Sequence, residues 1–209
     1  MNENSKGMVL RLAIFLLIAL TNLPVQLSAQ EIPGELVFEE PFEGEEFVPG
    51  WYMVQRNNAT AELLGMIEEG PNGGNALVVL TYTPDNVALT HLQFSNEAFT
   101  RPEGSDLYDW RVTFWIRTQV VPFTIRPIIA MSEDPWTGTD VDVPIENANE
   151  WTYVDVVLPR GDFLTSDPLL YIMHMGNPGD ENGENEVWFD DLKIYLLNQK
   201  TKIEEWEVY

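Results

Sequence analysis

The chain has 209 residues, with 34 Asp and Glu against 11 Lys and Arg, a formal net charge of −23 and no cysteine. Such a balance excludes a nucleic-acid binder, which gathers cations against phosphates, and it opposes docking on an anionic membrane surface. Disulfide scaffolds, thiol nucleophiles and cysteine-built zinc sites are excluded as well, while 44% apolar and 11% aromatic residues supply a core and argue against disorder.

Residues 1–29 divide into the three regions of a secretory signal. Lys6 and Arg11 give the positive start, Leu12 to Leu20 the apolar stretch, and Leu27-Ser28-Ala29 the small residue ahead of Gln30. A transmembrane anchor is the competing reading. The apolar run is shorter than the ~20 residues that span a bilayer, and Asn22 and Pro24 interrupt its continuation. The expectation is an exported protein, secreted, periplasmic or at the cell surface, with no stable membrane insertion once the signal is cut. Removing Lys6, Arg11 and Glu3 leaves it one charge more acidic.

From residue 30 no stretch keeps a helical apolar period for three turns; short β-rich runs recur instead. In chain order the expected strands are Leu36–Phe38, Trp51–Gln55, Ala61–Glu68, Ala76–Tyr82, Val87–Phe94, Trp110–Gln119, Thr124–Met131, Trp151–Leu158, Leu169–Met175 and Val187–Leu196. Turn signals such as Pro71-Asn72-Gly73-Gly74 and Pro159-Arg160-Gly161-Asp162 separate them. This spacing predicts an all-β, antiparallel β-sandwich of the jelly-roll kind over 30–198, followed by a polar tail over 199–209. Asp180-Glu181-Asn182-Gly183-Glu184-Asn185-Glu186 lacks the spacing of a twelve-residue calcium loop and reads as a solvated hairpin loop.

Alternation sorts the faces. Val112, Phe114 and Ile116 point to the core, leaving Trp115 and Arg117 outside. Burying Ile125, Ile129 and Met131 turns Arg126 out; burying Leu92 and Phe94 presents His91 and Gln93; burying Tyr171, Met173 and Met175 presents Ile172 and His174. Pattern does not say whether these outward residues share a sheet. Trp110 is in phase with the core, whereas Trp51, Trp115 and the loop residue Trp136 are the tryptophans expected to meet a ligand.

The order of segments resembles carbohydrate-binding modules of families 4, 9 and 22. The matching stretches are Phe38-Glu39-Glu40-Pro41-Phe42-Glu43-Gly44 with Gly50-Trp51, Gly73-Gly74-Asn75-Ala76-Leu77, Leu92-Gln93-Phe94, Trp110 to Arg117, Glu150-Trp151-Thr152-Tyr153, and Val187-Trp188-Phe189-Asp190-Asp191-Leu192. Together they run collinearly over residues 35–197. Glu40-Pro41 departs from the asparagine-glycine with which those modules open. The resemblance implies a galactose-binding-like jelly roll and a structural calcium ion near the chain ends, held by Glu43, the neighbourhood of Asn75, and Asp190 or Asp191. Calcium favours six to eight oxygen ligands, which carboxylates and carbonyls supply.

The expected function is reversible, non-catalytic binding of a polysaccharide or oligosaccharide by a monomer. Sugars stack their C–H faces on aromatic rings and hydrogen-bond through their hydroxyls. Trp115, Arg117, Arg126, Gln93, His91, His174, Trp136 and Trp51 supply that mixture. Two rivals stand beside it: a jelly-roll glycoside hydrolase or polysaccharide lyase, and a surface scaffold domain without sugar binding. A groove lined by Trp115, Arg117 and Arg126 favours binding, two carboxylates at hydrolytic separation there favour the enzyme, and side chains scattered over both sheets favour the scaffold.

Overall fold

The computed structural model describes residues 34–44, 50–56, 59–67, 69–82, 89–94, 108–131, 137–160, 169–175 and 183–197. The signal, the polar tail and Trp136 lie outside the described residues. Among those described there is no helix long and apolar enough to cross a membrane.

Among the described residues, twelve strands form two antiparallel sheets. The first sheet runs β10 (Thr152–Leu158), β6 (Asp109–Thr118), β12 (Glu184–Leu197), β4 (Ala76–Tyr82) and β3 (Thr60–Ile67), with β1 (Gly34–Glu40) also on β12. The second runs β2 (Trp51–Arg56), β5 (Leu89–Phe94), β11 (Leu169–Met175), β7 (Phe123–Met131) and β8 (Gly138–Asp140), with β9 (Val143–Ile145) also on β7. The expected antiparallel β-sandwich is therefore the observed fold.

Each strand is specified by its period of two. Val112, Phe114 and Ile116 of β6, Ile125, Ile129 and Met131 of β7, Tyr171, Met173 and Met175 of β11, and Phe189, Leu192, Ile194 and Leu196 of β12 fill one core between the sheets. Slipping any strand by one residue would exchange these for its polar set, so burial fixes the register. The fourteen-residue β12 carries most of the pairing in its sheet. One edge meets β6 from Val187↔Thr118 to Leu197↔Asp109; the other meets β4 up to Phe189↔Leu77, then β1 from Leu192↔Glu40 onward.

Three expectations need correction. Trp51 is not a surface residue: it is 9% exposed and packs in the core beside Phe38, Phe42 and Tyr171, at ring-centre distances of 6.4, 6.0 and 6.4 Å. Its indole N–H donates to Glu40 Oε2 (3.3 Å), and Glu40 Oε1 accepts from the Phe42 amide (3.2 Å), so a buried carboxylate and the chain's bend are satisfied together. Secondly, Glu184, Asn185 and Glu186 belong to β12, not to a solvated loop. Asn185 is buried: its Nδ2 donates to Thr118 Oγ1 (2.9 Å), its Oδ1 accepts from the Val120 amide (3.1 Å), and its carbonyl accepts from Thr81 Oγ1 (3.1 Å). Thirdly, the three-residue β8 and β9 were not expected, because strands that short carry too little alternation to register.

Candidate functional site

The outward-facing residues divide between the two sheets. Arg126 and His174 lie on the second sheet, while Trp115 and Arg117 lie on the first. No single groove gathers Trp115, Arg117 and Arg126, because β6 and β7 belong to opposite layers of the sandwich.

On the second sheet, pairing aligns the predicted positions in two adjacent cross-strand rows. One runs Val54↔His91↔His174↔Arg126; the next runs Tyr52↔Gln93↔Ile172↔Ile128↔Asp140. Four of the eight expected ligand contacts, His91, Gln93, His174 and Arg126, therefore occupy neighbouring positions across β5, β11 and β7. Tyr52, 41% exposed, stands at the end of the second row. The sequence pattern assigns no face to this strand; with Trp51 buried, alternation turns Tyr52 out.

Arg126 holds Asp142 in a two-pronged pair, Nε to Oδ1 at 2.6 Å and Nη2 to Oδ2 at 2.9 Å, with Asp140 Oδ1 at 3.8 Å. Hydrogen bonding from Arg126 holds the Asp142 carboxyl below the usual carboxylate range and pushes Arg126 up. His174 is half-buried, and burial together with the Arg126 charge lowers its pKa, so at neutral pH the ring carries no charge. Ile172 packs with Ala130 and Ile128 into a small apolar cluster on this same face. Ile172 (9% exposed) and Ala130 (6%) are buried, contrary to the expectation that Ile172 is presented, so the surface offers an exposed phenol ring, a half-buried neutral imidazole and a fixed cation–carboxylate fork.

The outer face of the first sheet is built differently. Trp115 packs against Tyr153 with ring centres 5.0 Å apart. The Arg111 fork binds Asp155 at 2.8 and 2.7 Å. Arg117 is not free to meet a ligand: its guanidinium lies over the Trp188 ring at 4.1 Å and beside Trp151 at 5.4 Å, and it pairs with Glu69. Its side chain is only 18% exposed. Trp188 is buried here.

Beside that cluster lies the set of oxygens expected to hold calcium. A carbon placed on Gly70 as a Cβ would stand 3.0 Å from Asp190 Oδ2, 3.2 Å from the Asn75 carbonyl and 3.3 Å from the Gly74 carbonyl. Three oxygens from two distant segments thus lie on one side of Gly70, whose amide N–H already donates to the Gly74 carbonyl (3.0 Å). Glu43 Oε2 accepts from the Asn75 amide (3.1 Å), Asn75 Nδ2 donates to the Glu43 carbonyl (3.3 Å), and a side chain on Gly74, at φ 106°, would collide with the Glu43 carboxylate. Asp190 is 4% exposed; burial pushes its carboxyl up to about 6, and the charges of Glu43 and Asp191 add to the effect.

A buried acid crowded by other acids is the electrostatic environment a divalent cation relieves. The Asp190 and Glu43 carboxylates and the Gly74 and Asn75 carbonyls are donors of the kind a hard cation prefers. Among the described residues no three His, Cys, Asp or Glu side chains form such a group, so carbonyls are needed to complete the set. Asp191 points elsewhere. The ladder between β12 and β6 shifts register between Asp190 and Lys193, Asp191 takes a φ of 48°, and its Oδ1 meets Lys193 Nζ at 2.7 Å. Of the two aspartates, the bulge aims Asp190 at Gly70.

No family model matches the sequence, and no curated protein does. Solved structures do match. A carbohydrate-binding module of the β-sandwich superfamily aligns at TM-score 0.55 and 15% identity over 73% of this chain and 59% of that one. The family 11 carbohydrate-binding module of Clostridium thermocellum aligns at TM-score 0.53 and 14% identity in complex with a β-1,3-1,4-mixed-linked tetrasaccharide, over 79% of this chain and 98% of that one. The family 11 module of the same organism's cellulosomal Lic26A-Cel5E aligns at 0.51 and 18% identity. The fold is that of the β-sandwich carbohydrate-binding modules. The resemblance read from six short sequence segments points to the same class.

Proposed function

We propose that this protein is a non-catalytic, exported glycan-binding module, and that its ligand lies across the outer face of the second sheet. The observation that carries the reading is the pair of adjacent rows that bring Tyr52, the positions of His91 and Gln93, His174 and Arg126 onto one surface. A pyranose ring stacked on Tyr52 would lie beside the position of His91 in the adjacent row. Arg126 and Asp142, three strands and roughly 14 Å away, would present fixed donors and acceptors to a sugar further along the same saccharide chain. A poly- or oligosaccharide spans several such contacts at once, which suits a sheet face better than a pit.

Calcium belongs to the same proposal as a structural ion, held by Glu43, Asp190 and carbonyls at Gly74 and Asn75. It would supply charge compensation between the opening segment and the closing strand. The chain's own residues do the rest: they fix the loop, bury Asp190 and keep Asp191 occupied with Lys193.

A scaffold role without sugar binding is the second reading. The separation of Trp115 and Arg117 from Arg126, on opposite sheets, favours it. A glycan array with the purified protein decides between them, and retention by at least one polysaccharide, weakened in Tyr52→Ala, is expected. Failure to bind any glycan would leave the scaffold.

A further inference from the structure

Glu69 and Gly70 are consecutive residues with separate tasks. Gly70 lies beside Asp190 and the carbonyls of Gly74 and Asn75. Glu69 is gripped from the sheet below at two points: its carboxylate by Arg117 Nη2, and its carbonyl by the indole N–H of Trp151 at 3.2 Å. Arg117 cannot swing away easily, because its guanidinium is stacked on Trp188 and flanked by Trp151. At the other end, Asn75 leads directly into β4, which is laddered to β12 up to Phe189, one residue before Asp190.

The loop between these anchors is rich in glycine, at 70, 73 and 74. Glycine has the largest backbone freedom to lose on ordering. Inside the loop only two backbone hydrogen bonds are found among the described residues, Gly70 N–H to the Gly74 carbonyl (3.0 Å) and Gly73 N–H to the Gly70 carbonyl (3.2 Å). The grip on Glu69 therefore does what the loop's own composition does not: it holds the first residue in place so that the carbonyls downstream keep their aim.

We propose that Arg117 and Trp151 are positioning residues for the calcium site, holding Glu69 so that the Gly74 and Asn75 carbonyls face Asp190 before the ion arrives. This rests on the calcium reading above. Neither side chain touches the ion. They set its affinity by removing the ordering cost from the binding step, in the way that partners behind metal ligands commonly change affinity by roughly 10–100-fold.

The test compares the wild-type protein with Arg117→Met, which keeps the stem over Trp188 but loses the charge and its donors. Glu69→Gln, at a side chain 52% exposed, serves as a second variant that leaves the sheet untouched. Calcium titration should show roughly tenfold or greater weakening in both. In EDTA, amide hydrogen exchange across residues 70–75 should quicken in both, while the metal-free melting curve moves little. Arg117→Lys should recover part of the affinity by restoring the charge. Wild-type affinity in both Arg117→Met and Glu69→Gln would overturn the positioning role alone. A wild-type protein that binds no calcium would overturn the calcium reading first and this inference with it.

Discussion

Trp51 donates its indole N–H to Glu40 across 3.3 Å inside the sandwich, joining the start of β2 to the end of β1. A residue that looks like a sugar platform is instead half of a buried polar contact. Replacing Glu40 by Ala would strand both the indole N–H and the Phe42 amide. The expected loss is about 3 kcal/mol, or roughly 6–12 °C in melting temperature for a domain of this size. Glu40→Gln, which keeps one acceptor, should lose less. Thermal melts of the two variants check the ordering.

The proposed calcium site makes a prediction of two signs. Asp190→Asn removes a carboxylate that burial and the Glu43 and Asp191 charges hold at about 6. In EDTA the variant should be more stable than wild type, on the order of 1 kcal/mol at pH 7. With calcium present the order should reverse, because the wild type gains from the ion and the variant does not. Asp191→Asn should keep the calcium response, since Asp191 is engaged with Lys193. Melting curves with and without EDTA for the three proteins decide it.

Ligand affinity should depend on the second sheet and not the first. Tyr52→Ala and Arg126→Ala are expected to weaken glycan binding by about tenfold each, roughly 1.4 kcal/mol. Trp115→Ala, on the other layer, should leave it unchanged. Isothermal titration with the glycan that scores best on the array measures all three. A loss confined to Trp115→Ala would move the site to the first sheet.

In mild acid two groups act oppositely on the metal-free protein: Asp190, whose folded carboxyl sits at about 6, adds stability as it takes up a proton, and His174 removes it. Burial and the Arg126 charge lower the His174 pKa below the ordinary value of 6.5. Between that value and the lower folded one, the unfolded chain takes up a proton that the native state refuses. The His174 contribution is thus complete above about pH 6.5 and declines as pH falls through the window. Asp142 acts in a separate range: its depressed pKa sustains stability above the ordinary carboxylate value and releases it only in stronger acid. In EDTA, the change in urea midpoint on going from pH 7.5 to 5.0 should be more favourable in His174→Gln than in wild type.

Much of the sandwich was legible because a period of two survives in single strands. Val112, Phe114 and Ile116 reveal their face without knowledge of any partner. Trp51 misled because Tyr52 beside it is as large and nearly as apolar, so the strand's start gave no phase; Glu40, its partner, is polar and eleven residues away. Arg117 reads as a free cation until Glu69, 48 residues earlier, is seen beside it. Asp190 and Asp191 were indistinguishable until the bulge separated them. Asn185 looked solvated for the same reason, since Thr118 and Thr81 come from two other strands.

The position of β12 constrains how the chain acquires its shape. It is the last strand of the described fold, yet it forms the middle of the first sheet, with β6 on one side and β4 and β1 on the other. Until it emerges from the ribosome, β6 and β4 have no strand between them, and β1 has nothing to pair with. Every pairing β12 makes spans a long stretch of sequence, the kind of contact that slows folding. The sheet is completed in one late step, so a growing chain stays open throughout its synthesis, and truncation ahead of Glu184 should leave a polypeptide that does not fold.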